Sequence, residues 1–255
     1  MTDHTTQRGD TTWFVRDRLG MFIHWGLYAM PARHEWIRHR EEIPTETYDT
    51  KYFTRFDPDL CDPQAWAAAA ADAGMKYVVI TAKHHEGFCL WDSAYTDYKA
   101  TNTPAKRDLL RELVDAFRAR GIRIGLYYSL IDWHHPDFIQ DKHIGPYRAH
   151  PEREKMNIGR VPSRYAKYMR DQVTELLTQY GEIDVLWFDF SYPKPDGSGK
   201  GKDDWESDAL LKTVRTLRPS VIIDDRLDLP YGWDIKTPEQ YQPRAWMQHE
   251  GKNVV

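Results

Sequence analysis

A parallel (β/α)8-type TIM barrel, incomplete at its C-terminal end with about five or six β/α units present, is the fold class this sequence predicts. Three observations predict it. Short apolar runs alternate in strict turn with amphipathic stretches along the 255 residues, the pattern of a parallel sheet joined by crossover helices. No G-x-G-x-x-G or Walker-type loop follows any of those runs, which weakens the alternative of an open, doubly wound nucleotide-binding sheet. Polar residues (His24, His84, His85, Tyr128, Asp189 and Arg226) stand at or just past the C-terminal ends of several predicted strands, the face at which a barrel gathers its functional loops.

The elements follow in order. Residues 19–25 (LGMFIHW) read as a buried strand, and the Ala-rich run 64–73 as a helix stopped by Gly74. Residues 77–82 (YVVITA) form a β-branched strand, and 107–120 carry leucines, Val114 and Phe117 at helical spacing before Gly121. A strand at 122–128 (IRIGLYY), a long amphipathic helix at 163–180 ending at Gly181, and a strand at 183–190 (IDVLWFDF) come next. A helix at 205–217 with Pro219 beyond it and a strand at 220–224 complete the clear pattern, with a candidate sixth strand near 245–250. The loops 27–62, 131–162 and 191–204 are long, so a chain of this length is expected to end before eight units close. Residues 1–12 are a polar tail and 13–255 a single barrel domain cut short; 193–204 (PKPDGSGKGKDD) is an exposed loop.

Composition excludes several classes. With 41% hydrophobic and 29% charged residues the chain is not disordered. A net charge of −4 gives no basic surplus for nucleic acid or an anionic membrane. No apolar run approaches the ~18 residues of a membrane span, and the polar start lacks the apolar core of a signal peptide, so a cytoplasmic location is expected. Cys61 and Cys89 are too few for a disulfide framework or a zinc ribbon. The 10 Trp, 15 Tyr, 9 Phe and 11 His are unusual; they could be ordinary core, and in loops after strands they would suit a sugar pocket.

Asp189, in LWFDF, is the most informative carboxylate. Strand period two puts it on the same face as Trp187. It reads either as a carboxylate that caps the next loop or pairs with an arginine, or as a nucleophile or general base beneath a stacking tryptophan. His84 and His85 (AKHHEGF) invite a metal reading, but neighbours in an extended chain point to opposite faces. Hydrogen bonding to substrate hydroxyls fits them better, with a structural pair as the alternative. His134 and His135 (DWHHP) lie deeper in a loop and read as rim residues. His24, Glu35 with Trp36 (HEW), and Tyr128 each have a plain structural reading when taken alone. Arg226 could hold a carboxylate or a sugar oxygen, or bridge to Asp224 or Asp225. Glu239 is a second carboxylate in the loop after the fifth strand; a retaining glycosidase needs two, roughly 5–5.5 Å apart.

Together, WFVRDRLGMFIHWGLYAMP, HEW, YVVITAKHHEGFCLWDS, GLYYSLIDW, LWFDF and IIDDR followed by DIKTPEQYQP resemble the α-L-fucosidases of glycoside hydrolase family 29, from about Trp13 to the end of the chain. The resemblance implies a retaining exo-fucosidase on a (β/α) barrel, with Asp189 as nucleophile. It implies sugar-binding roles for His24, Glu35, Trp36, His84, His85, Tyr128, Trp187 and Arg226, with Tyr127 as the alternative to Tyr128. Glu239 matches the general acid/base of some members, with Glu250 the alternative. It implies a fucosylated oligosaccharide or glycoconjugate as substrate, no metal or organic cofactor, and neither nucleic acid nor membrane as partner. Ile37 stands where an aromatic residue is common after the tryptophan. Members usually continue through further strands, so the chain is expected to be a truncated form. A metal-dependent barrel hydrolase using His24, His84 or His85 with Asp189, and an inactive sugar-binding remnant, are the competing readings.

Overall fold

The computed structural model describes residues 8–249 and 251–254. Five strands, β1 (Gly20–Ile23), β2 (Tyr77–Lys83), β3 (Arg123–Ser129), β4 (Val185–Asp189) and β5 (Ile222–Ile223), form one sheet in the order β1-β2-β3-β4-β5. Every pairing is parallel. Strict sequential order is what a barrel requires, whereas a doubly wound sheet reverses its order at a switch point. The sheet is thus a five-strand arc of a barrel wall, with β1 and β5 at its edges. Among the described residues no helix is long and apolar enough to cross a membrane.

Period-two alternation divides the wall into two layers. One face of the strands, with Val78, Ile80, Ile124, Leu126, Leu186, Phe188 and Ile223, packs under the helices Pro63–Asp72, Leu109–Ala119, Pro162–Gln179 and Ser207–Leu217 in the main core. The other face, with Val79, Tyr127, Val185 and Ile222, lines the barrel interior. Trp13, on the short helix Thr12–Asp17, closes that layer from below, its ring 5.7 Å edge-on to Tyr77. The expected helices end where expected, at Gly74, Gly121 and Gly181, all with positive φ. Asp62 and Asp108 cap their helices by accepting the N–H of Ala65 and Arg111.

Two expectations change. The helix predicted over 205–217 is two pieces, Lys202–Trp205 and Ser207–Leu217, broken at Glu206 with φ of 47°. Trp205 is buried and donates its indole N–H to Ser191 Oγ, while the Glu206 carboxylate turns to Arg170; these two tertiary contacts override helical continuity. The candidate sixth strand near 245–250 does not join the wall. Gln248–His249 pairs antiparallel with Lys252–Asn253 as a separate two-stranded ribbon.

The strand that matters most for the site is β2, because it changes parity. Its register against β3 runs Thr81 to Tyr127, then skips to Lys83 opposite Tyr128. One extra residue in the strand sends every later side chain to the other face. Lys83 is thereby turned into the helix layer, where it is fully buried, 3.2 Å from Asp132 and over the rings of Tyr128, Tyr165 and Tyr168 at 4.5, 5.6 and 5.5 Å. Burial works to raise the Asp132 carboxyl, but Lys83, with His135 and His134, brings it below the usual carboxylate range. Asp132 also accepts the backbone N–H groups of His134 and His135. Gly87 has φ of 86°, and a Cβ there would lie 2.2 Å from Asp132 Oδ1, so the position requires glycine twice over. Replacing Lys83 with Met would leave a buried, uncompensated carboxylate, and is expected to cost about 3–5 kcal/mol of stability by urea denaturation. A loss below 1 kcal/mol would mean the pair is not structurally important.

A carboxylate pair and a histidine cluster at the strand ends

Asp189 ends β4 on the interior face, with Ser129 beside it in register on β3. The Tyr127 hydroxyl donates to Asp189 Oδ2 at 2.7 Å. Arg226, in the turn Asp225–Leu227 after β5, lies 3.6 Å from Asp189 Oδ1 and donates to Glu239 Oε2 at 2.8 Å. One guanidinium therefore touches both carboxylates. It is held in place by Thr237, which accepts through Oγ1 at 2.6 Å and through its carbonyl at 3.2 Å. The bridges to Asp224 or Asp225 weighed for Arg226 are not the ones formed: Asp225 accepts from Thr237, and Asp224 is fully buried and accepts the Phe188 N–H. Burial pushes the Asp224 carboxyl well above its ordinary range, followed by the charges of Asp189 and Asp225.

The histidines sit beside this pair. β2 ends at Lys83, so His84 and His85 lie in a turn rather than an extended segment. Their rings are 4.2 Å apart instead of on opposite faces. His84 stacks on Tyr127 at 5.5 Å with planes 12° apart, and His24 stands 5.5 Å from it. His24 is placed by Thr81, whose hydroxyl accepts the Trp25 N–H just beyond β1. His85 is fully buried, with Nδ1 at 2.7 Å from Ser129 Oγ and Nε2 at 3.8 Å from Asp189 Oδ2. The Ser129 hydroxyl hydrogen goes to the Ile131 carbonyl, so Ser129 can only accept from His85. His85 is therefore protonated on Nδ1. Burial, followed by His84, holds its ring well below the usual imidazole range, which leaves Nε2 a bare acceptor facing the carboxylate. A bare Nε2 can accept the hydrogen of a ligand hydroxyl. Among the described residues no group of three His, Cys, Asp or Glu side chains is disposed to hold a metal ion.

The long loop after β1 brings Trp36 over the cluster, 4.8 Å edge-on to His85 and 5.4 Å from Phe190. Buried Arg38 ties this loop to the Glu86 carbonyl, and His39 Nδ1 ties it to the Gly145 N–H. Glu35, Trp36, His39, Phe190 and Glu239 line a cavity of about 380 Å³. Ile37 points away into the core at 1% exposure. Phe190, directly after Asp189, has φ of 150°, a conformation costing about 1–3 kcal/mol in a non-glycine residue. Trp187 lies two residues before Asp189 on the same face, edge-on to Phe22 at 4.8 Å.

One predicted residue is misplaced. Tyr128 faces the helix layer, fully buried, and donates to Gln172 of Pro162–Gln179. Tyr127 is the tyrosine the strand turns toward Asp189, because it shares the parity of Trp187 and Asp189 across the ladder. Glu250 lies outside the described residues. His134 and His135 are rim residues as expected: His134 stacks on Tyr98 at 3.7 Å, and His135 packs against Tyr168. Ser129, Phe190, Lys83 and Asp132 were not among the sequence candidates. Only Asp132 carried a local signal, as a carboxylate two residues before a histidine pair.

Burial is the first influence on the Asp189 carboxyl and raises it, with the Tyr127 hydrogen bond and Arg226 opposing. A carboxyl raised in the fold stabilises it fully only below the unfolded value of about 3.9, and that stability is lost as pH rises through the folded pKa. Asp189→Asn, which keeps an acceptor for Tyr127, is therefore expected to raise Tm at pH 7, with the gain vanishing near pH 3. An unchanged or lowered Tm at pH 7 would contradict this.

The family model described as Alpha-L-fucosidase matches residues 1–253. The solved structure of α-L-fucosidase isoenzyme 1 from Paenibacillus thiaminolyticus is 52% identical, with a TM-score of 0.88 over 96% of this chain and 58% of that one. An α-L-fucosidase from Bacteroides thetaiotaomicron, trapped as a covalent intermediate with 2-fluoro-fucosyl fluoride, is 33% identical with a TM-score of 0.72, over 89% of this chain and 52% of that one. Rat tissue α-L-fucosidase is 30% identical over 261 residues, which cover 93% of this chain and 52% of that protein. The chain spans about half the length of the curated relatives it matches.

Proposed function

The chain belongs to the α-L-fucosidase family, and on that premise we propose that it carries the nucleophile half of a retaining exo-α-L-fucosidase site, acting on a terminal α-L-fucose of an oligosaccharide or glycoconjugate. The observation that carries the reading is the Arg226 guanidinium in contact with both Asp189 and Glu239. Two carboxylates on one barrel face are what a double displacement requires. Asp189 attacks C1 and forms a fucosyl ester, while Glu239 protonates the departing glycosidic oxygen. The same Glu239, now a base, takes a proton from the water that hydrolyses the ester.

The surroundings divide this labour. Tyr127 and Arg226 oppose the desolvation of Asp189, which favours its anionic, nucleophilic form. Glu239 is 59% exposed at the loop mouth, where it can reach a leaving oxygen and exchange protons with water. His24, His84, His85 and Glu35 supply acceptors and donors for ring hydroxyls, and Trp36 and Trp187 supply apolar cover. The bare Nε2 of His85 fits a sugar hydroxyl that donates to it. Tyr127 takes the role that the resemblance offered to Tyr128. The domain reading follows: 13–255 is one barrel unit carrying this face.

The test is covalent trapping. Incubation with 2-fluoro-fucosyl fluoride followed by peptide mass spectrometry is expected to place a fluorofucosyl mass on the peptide containing Asp189, and Asp189→Ala to abolish it. A label on another carboxylate would overturn the assignment. In turnover of 4-nitrophenyl α-L-fucoside, Asp189→Ala is expected to lose at least ~10³-fold in kcat. Tyr127→Phe is expected to move the acidic limb of the pH profile upward, because a hydrogen bond to the charged form is lost; Tyr128→Phe should leave that limb in place.

A further inference from the structure

Glu86 has no part in the scheme above, yet it is the carboxylate nearest the histidine pair. It is 2% exposed, in the turn that follows β2. Its Oε2 lies 3.4 Å from His84 Nδ1, and neither atom has a hydrogen-bond partner although both are buried. Two orphaned buried atoms of complementary character, facing one another across a gap a few tenths of an ångström too long, describe a hydrogen bond that is slack in the empty site and tightens on loading. The Glu86 carboxylate is confined on its other side. A Cβ on Gly26 would stand 3.3 Å from Oε1, so β1's exit strand passes directly over it. Its backbone carbonyl accepts from buried Arg38, which anchors the Trp36 loop.

We propose that Glu86 is a positioning residue: its carboxylate holds the Nδ1–H of His84 and so presents Nε2 as an acceptor for a sugar hydroxyl. The inference rests on the reading of His84 as a sugar contact. The His84 ring is bounded by His24, His85, Tyr28 and Tyr127. Of these neighbours Glu86 is the one whose carboxylate approaches Nδ1. The arrangement mirrors His85, whose Nδ1–H is taken by Ser129. Two adjacent rings would then carry the same tautomer, one set by a hydroxyl and one by a carboxylate, and both would offer Nε2 to the ligand. The Glu86 carboxylate also accounts for stacking of His84 on Tyr127, because a ring held at Nδ1 cannot rotate away from the tyrosine that bonds the nucleophile.

The test reads the tautomer directly. In the uniformly ¹⁵N-labelled full chain, long-range ¹H–¹⁵N correlation of the imidazoles, with His84 identified by loss of its signals in His84→Gln, is expected to show a protonated Nδ1 and a bare Nε2. Glu86→Met, of similar length but with no acceptor, is expected to lose that pattern, and Glu86→Gln, which keeps an acceptor oxygen, to restore it. A wild-type His84 protonated on Nε2, or a pattern unmoved by Glu86→Met, overturns the proposal. Should Glu86→Met fail to fold, the wild-type tautomer alone decides. With an aryl α-L-fucoside, Glu86→Met is expected to lower kcat about 10–100-fold, with most of it recovered by Glu86→Gln. A fluorofucosyl label on a carboxylate other than Asp189 would count against the fucosidase reading, while the imidazole pattern would still decide the role of Glu86.

Discussion

The ion pair between Lys83 and Asp132 is the contact on which the site's construction depends. Both side chains are out of solvent, and a buried charge is tolerated only when it is paired and further hydrogen-bonded. Lys83 meets this condition with Asp132, the Tyr165 hydroxyl and three aromatic rings. Asp132 meets it with Lys83 and two backbone N–H groups. The pair fastens the end of β2 to the loop after β3, the two segments that carry His84, His85 and Trp133. It also fixes the parity change in β2: with Lys83 committed to the helix layer, the next residue must turn toward the interior. His84 reaches the neighbourhood of Asp189 because Lys83 is held on the far side.

From that fixed point the polar groups are distributed by what the wall will solvate. Asp189 sits at the rim of the interior face with a tyrosine hydroxyl and an arginine against it. Asp224, one strand over and fully buried, accepts a backbone N–H, and burial pushes its carboxyl well above the usual carboxylate range. Two carboxyls on neighbouring strands thus meet different surroundings because they differ in depth. The same depth argument applies to His85, which is fully buried and whose ring burial holds well below the usual imidazole range. Phe190 in a strained backbone next to Asp189 belongs to this pattern, as strain is stored where a side chain must be aimed. Its ring is caught between Trp36, His85 and Tyr192.

Most of the wall was legible in the residues. β-branched and aromatic runs marked the five wall strands to within a few positions, and glycine stops marked the helix ends. What was not legible depended on contacts between distant segments. Nothing local to Glu206 announces a helix break; the break follows from Trp205 being drawn under Ser191. Nothing in residues 245–250 distinguishes a wall strand from a ribbon, since a two-residue strand takes its identity from its partner. Tyr127 and Tyr128 are chemically identical, and a one-residue shift in register exchanges their faces. Only the ladder to Trp187 and Phe188 decides between them.

The sequence by itself determined the class of wall, the family through its strand-end motifs, and the placement of Asp189 at a strand end on the face of Trp187, since these rest on periodicity and on residue types at strand ends. The tertiary structure alone decided which tyrosine bonds Asp189, that Arg226 meets Glu239 rather than its neighbours Asp224 and Asp225, and that a lysine and a glutamate flank the histidine pair from behind. The physical reason is common to all three. Strand period is local, but the face a strand presents is set by its bulges and its partners, and the energy of a charge is set by its depth and by whatever the fold brings within reach.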